Sequence, residues 1–133
     1  MNFYLDVTID TPYEQAVKVV RAALADQGFG VVTEIDMRST LAEKIGVDIE
    51  PYLILGACSP ALAFQALQID PRVGVLLPCN VTISTRQGRT HVGVMDPHVL
   101  AAFDGTEALE PVAQEAARRL DSMLAAVSSS GQP

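Results

Sequence analysis

The stretch from Cys79 to Met95 constrains this chain most. Val81 and Ile83 alternate with Asn80, Thr82 and Ser84, Gln87-Gly88 can form a two-residue turn, and a second run follows from Thr90 to Met95. That pattern is a β-hairpin. With the turn so placed, Arg86 faces Arg89, Ser84 faces His91, Ile83 faces Val92, Val81 faces Val94 and Cys79 lies opposite Asp96. A slip of one residue would turn every apolar side chain to the wrong face, so the register is strongly specified. It places Cys79 on the apolar side.

Upstream, Phe3, Leu5, Val7 and Ile9 alternate with Tyr4, Asp6 and Thr8, the period of a half-buried strand. Thr11-Pro12-Tyr13-Glu14 reads as a helix start, with Thr11 as N-cap, Pro12 at the first helical position and Glu14 completing a capping box. Tyr13, Ala16, Val17, Val20, Ala23 and Leu24 form that helix's buried stripe, and Gly28 ends it. Phe29 to Ile35 is a second strand with Phe29, Val31, Thr33 and Ile35 on one side. Ser39-Thr40 opens a short helical turn closed by Gly46. The apolar run 52–57 suits a strand covered on both faces or central in the sheet.

Cys58-Ser59-Pro60 reads as strand end, N-cap and first helical residue of a helix through Ile69, which Asp70-Pro71 stops. Val73 to Leu77 then leads into Pro78-Cys79. After the hairpin, Asp96-Pro97 starts a short helix through Phe103, and Thr106 caps a long amphipathic helix marked by Leu109, Val112, Ala113, Ala116, Leu120, Met123, Leu124 and Val127. Residues 128–133 read as a frayed tail. The element order implies one α+β domain over residues 1–127: a mainly antiparallel sheet of about five strands, backed by an N-terminal and a long C-terminal helix.

Composition narrows the function classes. At 133 residues the chain can bury roughly 65–70% of its unfolded surface without a covalent staple. A net charge of −7 with no basic cluster argues against nucleic acid as a partner. The N-terminus has no basic segment before an apolar run, and no apolar run is long enough to span a bilayer, so the expectation is a cytoplasmic protein with no membrane partner. In a reducing compartment Cys58 and Cys79 are expected as free thiols.

"GFGVVTEID", "YLILGACSPALAFQAL" and "VGVLLPCNVTI" followed by "VGVMDP" together resemble the bacterial and archaeal family catalogued as domain of unknown function 302. The likeness spans nearly the whole chain. Its most specific parts are Gly56-Ala57-Cys58-Ser59-Pro60 and Leu77-Pro78-Cys79-Asn80-Val81, with Ser59 standing where the family often has Asn, another helix-capping residue. The resemblance implies a curved antiparallel sheet backed by a long C-terminal helix, similar to TATA-binding-protein-like folds and often dimeric. It implies no agreed activity, and the nucleic-acid role of the fold's namesake does not follow from fold alone.

The residues that could carry chemistry cluster near those two motifs. Cys58 precedes an N-cap, where helix amides favour thiolate; the alternative is a small apolar filler at a crowded turn. Cys79 follows a proline that bends the strand entry and could aim the thiol into a cleft, or it is simple core. His98, near Asp96, could join Cys58 and Cys79 in a soft-metal site for zinc or copper; the alternative is a solvated helix residue. Glu34 and Asp36, read as pointing outward from the second strand, are either solvated charge or, if they line the same mouth as Asn80 and Cys58, polar groups that orient a ligand.

The reading favoured is a homodimeric, non-enzymatic binding module for a small molecule or soft metal near the two cysteines. The alternatives are a thiol-dependent redox or nucleophilic enzyme using Cys58 with Cys79, and a structural or regulatory interaction protein. No hydrolase triad, phosphate loop or metal-binding helix motif points elsewhere, and no particular cofactor is implied.

Overall fold

The computed structural model describes residues 2–130. Its five strands are β1 (Tyr4–Ile9), β2 (Gly30–Asp36), β3 (Tyr52–Cys58), β4 (Cys79–Arg86) and β5 (Arg89–Met95), all paired antiparallel in the order β1-β5-β4-β3-β2. The four α-helices are α1 (Tyr13–Asp26), α2 (Met37–Ile45), α3 (Pro60–Ile69) and α4 (Glu110–Ser130). The fold is α+β, as the order of elements implies.

The hairpin register is the expected one from Val81↔Val94 to Arg86↔Arg89. Gln87 and Gly88 both have positive φ, 53° and 77°, the twist that matches a two-residue turn to right-handed strands. The expected Cys79–Asp96 pair does not form. Strand β5 ends at Met95, and the Asp96 amide donates instead to the Phe3 carbonyl at 2.8 Å.

Helices α1 and α4 cover one sheet face. Ala16, Val20, Ala23 and Leu24 of α1 and Leu120, Met123, Leu124 and Val127 of α4 are buried in one cluster with Leu53, Leu55, Val81, Ile83, Val92 and Val94. The alternation and the 3.6-residue stripe thus meet across a single interface. Strand β3 has neighbours on both sides, but its outer face is open: Tyr52 is exposed and Ile54 half-buried.

Several helix starts differ from the sequence expectation. Pro12, not Thr11, is the N-cap of α1, and no side chain caps that helix. Pro12 supplies the carbonyl that accepts from Ala16 at 2.8 Å, while the Thr11 carbonyl accepts from Thr90 Oγ1. At the other end the expectation holds: Gly28 at φ 80° lets Phe29 N–H reach the Leu24 carbonyl and Gly28 N–H the Ala25 carbonyl. Helix α2 begins earlier than Ser39-Thr40, because the Asp36 carboxylate accepts from the Ser39 amide at 3.1 Å.

The segment Pro71–Leu76 is a 3-10 helix, and so is Pro97–Ala101. Thr106 does not cap α4, which follows a 3-10 turn at Glu107–Leu109. Its hydroxyl instead accepts from the Phe103 amide and donates to the Phe103 carbonyl. Helix α4 continues through Ser130, past the expected tail boundary; residues 131–133 of that tail lie outside the described residues.

Gly56 is where the sheet leaves least room. A Cβ there would overlap Thr33 Oγ1 and stand 2.7 Å from the Pro78 ring. Gly56→Ala is therefore expected to destabilise the domain by about 1–3 kcal/mol in urea unfolding, the cost of overpacking. Thr33→Ala in the same background should recover part of it. Wild-type stability for Gly56→Ala would contradict this close approach.

Candidate functional site

Cys79 opens β4 and pairs with Ala57, and Cys58 is the next residue of β3, so the two thiols sit one register step apart on neighbouring strands. Both are free. Both cysteines are among the residues bordering a hollow of about 30 Å³. Its walls are mostly hydrocarbon, from Phe29, Leu62, Leu77, Leu100, Val112 and Ala116.

Local chain rules explain how each thiol arrives. Ser59 and Pro60 turn β3 sharply into α3 and leave Cys58 at the corner, half-buried. The Leu77–Pro78 peptide is cis, and β4 begins immediately after it. Alternation then sends Cys79 to the helix-covered face, where it is 6% exposed. Burial, with a smaller contribution from the charge of Cys58, pushes the Cys79 thiol up from its usual 9.0 to about 11.

Ser59 borders the hollow too, although the surface it shows there is apolar. It is the N-cap of α3 yet makes no side-chain cap hydrogen bond, and it is 5% exposed while lining the hollow. Pro60 has no N–H, so the first-turn amides of Ala61 and Leu62 are left with no intrahelical acceptor. That end of α3 carries partial positive charge beside the thiols.

The other sequence candidates do not reach this place. Asn80 pairs with Gly56 on the opposite sheet face and is exposed. Glu34 and Asp36 lie at the far end of β2, paired with Leu55 and Leu53, whereas Cys58 pairs with Gly30. Their facing also differs from the sequence expectation. A bulge between Val31 and Thr33 shifts the register, which puts Thr33 and Ile35 on the outer face and turns Glu34 and Asp36 to the helix side. There Glu34 accepts from Arg21 of α1 at 2.7 Å, and burial together with the charges of Asp36 and Glu34 raises the Tyr13 hydroxyl's pKa.

The expected Cys58–Cys79–His98 set is not assembled. His98 Nδ1 lies 2.8 Å from Asp96 Oδ1, outside the walls of the hollow. Among the described residues no three His, Cys, Asp or Glu side chains gather as a metal site. Conversely, the walls supplied by Phe29, Leu100, Val112 and Ala116 had no signature beyond their apolar character. Ser59 was legible, because the Cys-Ser-Pro order marks a strand-to-helix corner.

Two larger hollows have no cysteine among their walls. One, of about 210 Å³, holds Arg72, whose charge is already met by Asp70 at 2.8 Å; the other, of about 330 Å³, lies at Glu50, Arg86, Gln87 and His91 by the hairpin turn. No helix among the described residues is long and apolar enough to cross a membrane.

Comparison with known proteins gives a family and a solved fold. The family described as domain of unknown function DUF302 matches residues 5–127. The crystal structure of an uncharacterized conserved DUF302 protein from Bacillus stearothermophilus superposes with a TM-score of 0.88 at 28% identity, covering 96% of this chain and 99% of that one. No curated protein matches.

Proposed function

Because the chain belongs to the DUF302 family, whose description carries no activity, we propose from its own geometry a binding domain that holds one soft metal ion between Cys58 and Cys79. The observation that carries this reading is the pair of free cysteines one register step apart on adjacent strands, both bordering one hydrocarbon hollow. Pockets for small organic molecules run to roughly 300–1,000 Å³. A hollow of about 30 Å³ has room for about one water-sized occupant, so of the two ligand classes considered the metal is favoured. Thiolates are the ligands that select soft ions.

The test is retention. Protein incubated with an equimolar mixture of cuprous, zinc and cadmium ions and then desalted should keep a single metal per chain. Cys58→Ser and Cys79→Ser should keep none. Equal retention by both variants, or none by the wild type, would overturn the reading.

A redox role is favoured by one feature of the same pair: Cys58 is half-buried and Cys79 sealed, the placement of an attacking and a resolving thiol. Hydrogen peroxide would then be reduced to water as the two thiols lose their hydrogens and join. Intact mass after mild peroxide treatment reads that outcome directly.

A further inference from the structure

We propose that the outward face of α3, with the 3-10 helix that follows it, is a docking surface for a second copy of this chain. It uses neither thiol and so stands apart from the binding role. Leu62 and Ala66 are the buried residues of α3, and Phe64 stands about 200° round the helix from both, on the side turned to solvent. It is 62% exposed, and Leu67, three residues on along the same side, is exposed with it. Ile69 at the end of α3 is exposed as well, and the 3-10 helix packed against α3 leaves Val75 89% exposed. One exposed aliphatic side chain is ordinary. A succession of them along two adjoining elements marks an interaction site.

Charge indicates what covers it. The chain carries a net charge of −7, yet residues 51–85 hold only Asp70 and Arg72, which pair with each other at 2.8 Å. The acidic excess lies elsewhere in the chain, so a copy approaching here meets the least like-charge repulsion. An anionic membrane fits less well, since the one cation of the patch is already paired. The surface also offers a hole for its own knobs. Leu76, next in the chain to Val75, is a wall of the hollow of about 210 Å³, with Val73, Leu100 and Phe103. Asp104 borders it beside the Asp70–Arg72 pair, an acid for a partner's arginine. A two-fold contact needs this self-complementarity, because one patch serves as both partners. At the roughly 30–40 Å² that an average interface residue buries, the exposed and half-buried residues of 60–76 offer about 500–600 Å² per copy, the small end of specific interfaces.

Sedimentation velocity of the full chain from about 1 to about 500 μM tests this, and a contact of that size should give a reversible dimer with a dissociation constant in about the micromolar range. Raising salt from about 50 to about 500 mM should strengthen it by about 3–10-fold, because salt screens the charge of −7 on each copy. Val75→Asp and Phe64→Asp should each weaken it by at least about 30-fold. Both side chains lie in solvent, so the circular dichroism of each variant should match the wild type. Val32→Asp, at an exposed position of the β2 edge, should leave the dimer as it was. A chain that stays monomeric throughout the range, a dimer that both patch variants leave intact, or one that Val32→Asp disrupts as strongly would overturn the proposal. So would adsorption to phosphatidylcholine vesicles without self-association.

Discussion

Replacing Leu120 by alanine is expected to lower stability by about 2–5 kcal/mol, measured as a shift of the urea midpoint with little change in slope. Leu120 is 0% exposed and lies in the cluster that joins α1, α4 and four strands of the sheet. The substitution isolates packing. Alanine is the better helix former, so the intrinsic propensity of α4 rises and every part of the loss comes from removed contacts and the void left behind. Arg118→Ala is the control on the same helix: Arg118 is exposed and pairs only with Glu115 one turn away, and surface pairs of this kind contribute little. Its midpoint should stay with the wild type. If Leu120→Ala behaved the same way, α4 would not be packed on the sheet as described, and the wall it gives the thiol hollow would be lost with it.

The second large effect is alkaline. The Cys79 thiol keeps its proton to about pH 11 in the folded protein but releases it near 9.0 when unfolded. Between those values the unfolded chain binds fewer protons, so stability must fall as pH rises. The stabilisation is fully present below about pH 9 and is lost by about pH 11, amounting to about 2–3 kcal/mol. Urea unfolding of the wild type and of Cys79→Ala across that range should give two curves that converge or cross as pH increases. The variant's small void contributes the same offset at each pH, and Tyr13, whose pKa is raised by burial, Asp36 and Glu34, is common to both. A constant difference would mean that the thiol titrates as it does in water, and that the hollow is open rather than sealed.

Both experiments concern the same wall of the molecule, and they bear on how the site arises. Cys79 belongs to the hairpin, whose turn and alternation are local, so its burial could be read from residues 79–95 alone. Cys58 belongs to a strand-to-helix corner that Ser59-Pro60 announces. Neither motif says that the two meet. Their placement one register step apart follows from the antiparallel pairing of β3 with β4 across the intervening α3 and the Pro71–Leu76 3-10 helix. Asn80 shows the same limit from the other side: it is adjacent to Cys79 in sequence, and strand alternation alone sends it to the opposite face.

The amino-acid sequence by itself determined the element types, the hairpin register, the left-handed end of α1 at Gly28 and the α+β class, because each depends on sterics and periodicity over a few neighbouring residues. Tertiary structure alone decided the facing of Glu34 and Asp36, the separation of His98 from the thiols and the closing of the hollow by α4. The β2 bulge shifts a register that alternation would otherwise carry through, and Val32, at the skipped position, is 62% exposed. Such choices turn on contacts between residues far apart in the chain, where local propensity has nothing to compare.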